Sequence, residues 1–250
     1  LVEAEKMRSL TRLVSGVAHE INTPLGIGVT SSSMLAESFS RVRKKMEDTH
    51  QISKHEFENF LTSGQKTTEL LESSIKRAAN LVASFKQVAA DGSNQEKVRD
   101  INVYEQLNVF AASVKPMLSE KHIGISIRGD ADITIKSLQG PLHQLLSHLV
   151  VNSVDHAFDE TIDNPQIAID YYEKERWLYL VYRDNGVGID ETLHDQVFEP
   201  FYTTARHSKH PGLGLPVAYN IVKRRLRGSL HLENNAPHGV KITVCIPAYL

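Results

Sequence analysis

From Leu1 to about Asp91 apolar residues recur at helical spacing, and Pro24 is the single proline of that stretch. One seam runs Leu10, Val14, Val17, Ile21 and continues through Gly28, Leu35 and Val42. Another runs Leu71, Ile75, Ala78, Val82, Phe85 and Ala89 in alternating steps of four and three, the heptad signature of bundled helices. Between them, Glu47 to Ser53 is polar in character and suits a hairpin loop. The pattern predicts a long antiparallel helical hairpin. Two helices alone enclose too little core, so a second copy completing a four-helix bundle is expected; a coiled-coil spacer without chemistry has the same periodicity.

The small, polar run Asp91-Gly92-Ser93-Asn94-Gln95 reads as a linker and divides the chain into domains 1–93 and 94–250. Beyond it the pattern turns to mixed helix and strand. Helices are expected over Val103 to Lys121, Pro141 to Phe158 and Pro216 to Leu226. Short alternating strands are expected over Gly124 to Arg128 and Ile133 to Ile135. Gln166 to Tyr171 and Trp177 to Tyr182 read as a strand pair around Glu173 to Arg176, and Ser229 to Glu233 with Val240 to Ile246 as a closing pair. This order predicts an α+β fold, with a layered sheet carrying helices on one face.

Composition narrows the function. A length of 250 residues suits two domains, and 41% hydrophobic with 23% charged residues is an ordinary globular balance. Lys+Arg 28 against Asp+Glu 30 leaves a formal charge of -2, which argues against nucleic acid as the partner. The lone cysteine, Cys245, excludes an internal disulfide and reads as a strand core residue rather than a nucleophile. No apolar run approaches the roughly 18 residues of a membrane span and no signal peptide opens the chain. The chain begins at Leu1 without a Met, and reads as the cytoplasmic portion of a longer protein whose sensing or membrane-anchored part lies outside it.

Two stretches carry chemistry. In Ser15 to Leu25, His19 lies about 200° around the helix from Val17 and Ile21, so its ring points away from the seam. Thr23 shares its face one turn on, and Glu20 adjoins it. A histidine so placed is a candidate nucleophile, oriented and deprotonated by Glu20; with 12 histidines present, a solvated bystander is the alternative. The second stretch, Asp184-Asn185-Gly186-Val187-Gly188-Ile189, follows an apolar strand, and its glycines allow close backbone approach to a ligand. Neither a lysine-bearing phosphate loop nor a dinucleotide-binding fingerprint is present.

The run His19-Glu20-Ile21-Asn22-Thr23-Pro24-Leu25 resembles the H box of two-component sensor histidine kinases. The resemblance implies that His19 is the phosphoacceptor, Glu20 its base, Thr23 a water-positioning residue for phosphatase action on the partner, and Pro24 a helix-kinking proline. Asp184 to Gly188 resembles the G1 box of the ATPase fold shared with Hsp90, MutL and gyrase, in which Asp184 would accept from the adenine amino group beside Gly186 and Gly188. Asn152 matches the magnesium-ligating asparagine of the N box. Val197 to Thr204 resembles the F box, with aromatics Phe198 and Phe201. Gly212-Leu213-Gly214 matches the G2 box ahead of a helix whose free amides would meet phosphate. The implied fold is the hairpin followed by an α/β-sandwich ATP-binding domain. The implied cofactors are ATP and Mg²⁺, and the implied partners are a second copy of the chain and a response-regulator receiver domain.

Departures from the family pattern fall near the phosphates. His148 stands where another asparagine is common, and Asp155-His156 where a basic or aromatic residue is; His156 is a candidate phosphate or metal contact, with simple solvation as the alternative. Pro211 precedes Gly212 and removes one amide donor. The segment between Phe201 and Gly212 reads as a lid, with Arg206 and Lys209 as candidate phosphate contacts or a solvated charge run. The main reading is autophosphorylation of His19 followed by transfer to a regulator aspartate. Its rivals are a regulator phosphatase, a nucleotide-binding scaffold, and an ATPase of the Hsp90 or MutL kind.

Overall fold

The computed structural model describes residues 2–89, 97–202 and 212–250; the side chains of 2–17, 19, 84 and 86–89 lie outside that description, as do residues 90–96, where the expected linker falls. Chain contacts group the protein into two units, 1–86 and 87–250. Among the described residues no helix is long and apolar enough to cross a membrane.

The first unit is a hairpin of helix α1 (Val2–Thr49) and helix α2 (Lys54–Ala89). Pro24 lies buried within a continuous α1, where its ring denies the Glu20 carbonyl a helical hydrogen bond. The turn is fixed by a reciprocal cap at the start of α2. Ser53 N donates to Glu56 Oε2 at 3.1 Å while Glu56 N donates to Ser53 Oγ at 3.3 Å. Lys45 of α1 closes on the same carboxylate. The Lys45 hydrogen bond, followed by those from Ser53, lowers the Glu56 pKa to about 2.

On α1 the inward positions Ile21, Gly28, Leu35 and Val42 are those expected, joined by Pro24 and Ser31, while the expected Leu10, Val14 and Val17 lie outside the described side chains. On α2 the seam is shifted from the expectation. Leu71, Ala78 and Phe85 face inward, but Ser74 and Leu81 take the places assigned to Ile75 and Val82, which are 56% and 49% exposed. The helices approach closely here: a Cβ added at Gly28 would lie 3.6 Å from Leu71 Cδ1, and Ser31 and Ser74 are buried.

The second unit has a five-stranded sheet, ordered β2 (Gly124–Arg128), β4 (Gln166–Lys174), β5 (Trp177–Asp184), β7 (Val240–Pro247), β6 (Ser229–Asn234). Strands β2 and β4 are parallel and the remaining pairs antiparallel. A separate two-stranded sheet joins β1 (Arg99–Asn102) to β3 (Thr134–Ser137). The period-two pleat puts Ile167, Ile169 and Tyr171 of β4 and Leu178, Leu180 and Tyr182 of β5 on the covered face, with Val181 buried as well. Helices α3 (Val103–Glu120), α4 (Gln139–Asn152) and α5 (Gly214–Asn220) supply the matching layer, with Leu107, Phe110, Leu142, Leu145, Leu149 and Val217 fully or almost fully buried. Each such leucine contributes about 2 kcal/mol of burial. Asn102 caps α3 by accepting from Glu105 N at 2.8 Å.

Strand β1 was not foreseen in the pattern, and α4 ends earlier than expected, passing into a π-helical turn at Ser153–Ala157. Cys245 is on a strand as expected but not in the core: Val244 and Ile246 point inward, leaving Cys245 half-exposed on the opposite face.

Candidate functional site

In the hairpin, Glu20 is half-buried on α1 and reaches Arg77 of α2 at 3.9 Å, the outer limit of an ion pair. Thr23 is exposed four residues beyond His19 on an unbroken helix, which puts both positions on one face. The His19 side chain is outside the described residues.

In the second unit a cavity of about 230 Å³ opens between α4, the end of β5, the loop after it and the start of α5. Its floor is Asp184, 4% exposed at the end of β5. Both carboxylate oxygens are engaged. Oδ2 accepts from Ser153 Oγ at 2.7 Å, and Oδ1 accepts from Gly186 N at 3.1 Å and Val240 N at 3.0 Å. Behind Ser153 stands Tyr182, whose hydroxyl donates to Ser153 Oγ at 2.7 Å and lies 3.3 Å from the Leu149 carbonyl. Burial, and then the Asp184 charge, push the Tyr182 pKa well above the phenol range, against the lowering effect of its Ser153 bond.

The loop after Asp184 is pinned from several sides. Asn185 Oδ1 accepts from Gln166 N at 2.7 Å, Asn234 Oδ1 accepts from Ile189 N at 3.1 Å, and Asn235 Nδ2 donates to Asp184 O at 3.0 Å. Gly239 is required by this packing: its φ is 106° and an added Cβ would lie 2.0 Å from Asp184 O.

On the opposite wall, Asn152 closes α4 with its amide directed at the start of α5. Gly214 permits this approach, since a Cβ there would lie 2.4 Å from Asn152 Oδ1. Asn152 Nδ2 is buried and has no hydrogen-bond partner among the described residues. Nor do the described residues include a cluster of three or more acidic, histidine or cysteine ligands for a metal. A single neutral oxygen donor suits a magnesium ion that takes its other ligands from phosphate and water, so the donor set fits Mg²⁺ accompanying a nucleotide.

The cavity thus gathers Asn152, His156, Asp184, Gly188, Gly212 and Gly214 of the sequence candidates. Gly186, Leu213, Phe198 and Phe201 do not line it. Gly186 sits one layer out, donating to Asp184 against Ala157, and Leu213 is buried ahead of α5. The Phe198 ring turns to Tyr219 at 5.5 Å, and Phe201 N donates to Gly212 O at 3.1 Å from a residue with φ 67°. Their neighbours Val197 and Tyr202 line the cavity instead. Arg206, Lys209 and Pro211 lie outside the described residues. His148, one turn before Asn152, is off the lining, and burial lowers its pKa.

Sequence reasoning missed Ser153, Tyr182, Gly239 and Val240. Tyr182 carried a usable signal, since period-two alternation puts residues 182 and 184 on the same face of β5. The contribution of Val240, 56 residues from Asp184, left no local trace.

Comparison with known proteins agrees with this geometry. Residues 137–250 match the family described as histidine kinase-, DNA gyrase B-, and HSP90-like ATPase. The two-component sensor PprA of Pseudomonas aeruginosa is 26% identical over 256 residues, covering 99% of this chain and 25% of that protein. Sensor histidine kinase AtsR of Burkholderia thailandensis is 29% identical over 191 residues, covering 70% of this chain and 31% of its own length. Among solved structures, histidine kinase ThkA in complex with the response regulator TrrA has the same fold, with a TM-score of 0.63 at 18% identity over 98% of this chain and 64% of that one. The chain spans about a quarter to a third of the length of these curated relatives.

Proposed function

We propose that the chain, whose residues 137–250 match the histidine kinase-, DNA gyrase B-, and HSP90-like ATPase family, is a histidine kinase that uses ATP to phosphorylate His19 and passes the phosphoryl group to an aspartate of a response regulator. The observation that carries the proposal is the Asp184 carboxylate, held at the floor of the cavity by three donors with Asn152 across from it.

An ionised carboxylate accepts and does not donate, so Asp184 selects a base with an exocyclic amino group. The glycine-lined mouth at Gly188, Gly212 and Gly214 leaves room for the phosphates. Asn152 is the residue that would hold Mg²⁺, which when bound would supply neutralisation of charge on the transferring phosphoryl group. In the transfer, a ring nitrogen of His19 attacks the γ-phosphorus, the bond to the β-phosphate oxygen breaks, and ADP leaves. Glu20 takes the proton from the ring, with Arg77 of α2 lying 3.9 Å from that carboxylate. The phosphoramidate is then reactive enough to yield its phosphoryl group to a carboxylate, forming an acyl phosphate and restoring the imidazole. The regulator partner of the structural neighbour ThkA supports such an acceptor.

Incubation with γ-labelled ATP and Mg²⁺ tests the proposal. The label is expected on protein, acid-labile and base-stable, and His19→Ala abolishes it while nucleotide binding persists. Undiminished labelling of that variant would overturn the assignment of His19.

A further inference from the structure

Two hydroxyls stand behind the carboxylate that reads the base. The contacts run Tyr182 Oη to Ser153 Oγ at 2.7 Å and Ser153 Oγ to Asp184 Oδ2 at 2.7 Å, and all three side chains are buried. Distance orders their protons. Tyr182 keeps its proton, because burial and the charge of Asp184 disfavour the phenolate, and Ser153 Oγ at 2.7 Å is a nearer acceptor for it than the Leu149 carbonyl at 3.3 Å. The single proton of Ser153 is then left for Asp184. With Oδ1 occupied by the Gly186 and Val240 amides, the carboxylate is locked in one rotamer. What remains is unused acceptor capacity on Oδ2, with every protein group around the carboxylate acting as a donor.

The geometry points to Ser153 and Tyr182 as positioning residues that fix Asp184 for purines bearing an exocyclic amino group, Tyr182 acting only through Ser153. This deepens the reading that the cavity takes the base of ATP and rests on it. A 6-amino purine presents N–H to the remaining lone pair, whereas a 6-oxo purine presents oxygen to oxygen, and the locked carboxylate cannot turn away to relieve that repulsion. Rejection by a buried, unmatched polar pair is far stronger than rejection by shape. Ser153 and Tyr182 also line the cavity, so the relay lies at the surface where the base would seat.

The distinguishing experiment is calorimetric binding of Mg-ATP and Mg-ITP, which differ at the 6-position, to the full chain and to Ser153→Ala, Tyr182→Phe, the double variant and Ser153→Thr. Ser153→Ala is expected to weaken ATP roughly tenfold and ITP far less, so that the preference for ATP collapses. Tyr182→Phe gives a smaller fall in the same ratio, the double variant matches Ser153→Ala alone, and threonine restores the preference. A purely structural role for the hydroxyls would lower both affinities alike, and an ATP-to-ITP ratio unchanged across the series overturns the proposal. So does a Tyr182→Phe effect undiminished in the Ser153→Ala background, since Tyr182 would then act by another route. Should alanine at 153 prevent folding, Ser153→Cys, a much weaker donor of similar size, carries the same comparison. Wild-type chain that binds neither nucleotide overturns the ATP reading itself, and the inference with it.

Discussion

The Asn152 amide depends on the absence of one carbon atom. Its nitrogen is buried without a partner among the described residues, and its oxygen stands where a Cβ on Gly214 would lie at 2.4 Å. A buried polar atom left unpaired costs roughly 1–3 kcal/mol, and this N–H group can donate only to an acceptor such as a phosphate oxygen, leaving Oδ1 as the atom a cation would take. Gly214→Ala is therefore expected to push the Asn152 side chain aside and to weaken Mg-ATP binding by roughly tenfold or more, while leaving the unfolding temperature within a few degrees. Isothermal titration with and without Mg²⁺ checks this; an affinity equal to wild type in Mg²⁺ would sink the role given to Asn152. At this scale the sequence was informative about chemistry and silent about support. Asp184 and Asn152 stand in recognisable runs, whereas Ser153, Gly239 and Val240 matter only because folding brings them to Asp184.

The elements divide in the same way. Strands β4 and β5 were legible because β4 alternates over most of its length and β5 is an apolar run, Trp177 to Tyr182, bounded by polar residues. Strand β1 was not, since Arg99-Asp100-Ile101-Asn102 has one apolar residue and exists by pairing with β3 more than thirty residues on. The hairpin turn is local and was foreseen, and its cap makes an acid-sensitive joint. The Glu56 pKa is depressed to about 2, so its contribution to the turn is fully present above its ordinary value of 4.5 and is lost as pH falls from there through about 2. Glu56→Gln is expected to lower the thermal stability of the hairpin at pH 7 and to make little difference near pH 2. Circular dichroism melts of both proteins across that range decide it; an equal deficit at both ends would remove the charge from the explanation.

For the molecule as a whole, the displaced seam on α2 has the largest consequence. With Ser74 and Leu81 turned inward, the hairpin keeps a second apolar stripe on its outside, including Leu25, Phe39, Met46, Leu61, Ile75 and Val82. Exposed apolar positions at heptad spacing on both helices support the proposal that two copies complete a four-helix bundle. Replacing Ile75 and Val82 together by glutamate is expected to convert dimer to monomer in sedimentation velocity without loss of the 87–250 unit's nucleotide binding; a persistent dimer would place the interface elsewhere. The sequence had shown which stripe of α1 faces its partner helix but not which stripe of α2 does, because a buried serine such as Ser74 is a position that an apolar periodicity does not weigh. One contact reaches further than its single hydrogen bond suggests. The Val240 amide ends on the same carboxylate that a bound base would occupy, so its exchange with solvent deuterium is tied to occupancy of the cavity. The last strand of the chain thereby carries a natural gauge of whether the site is filled.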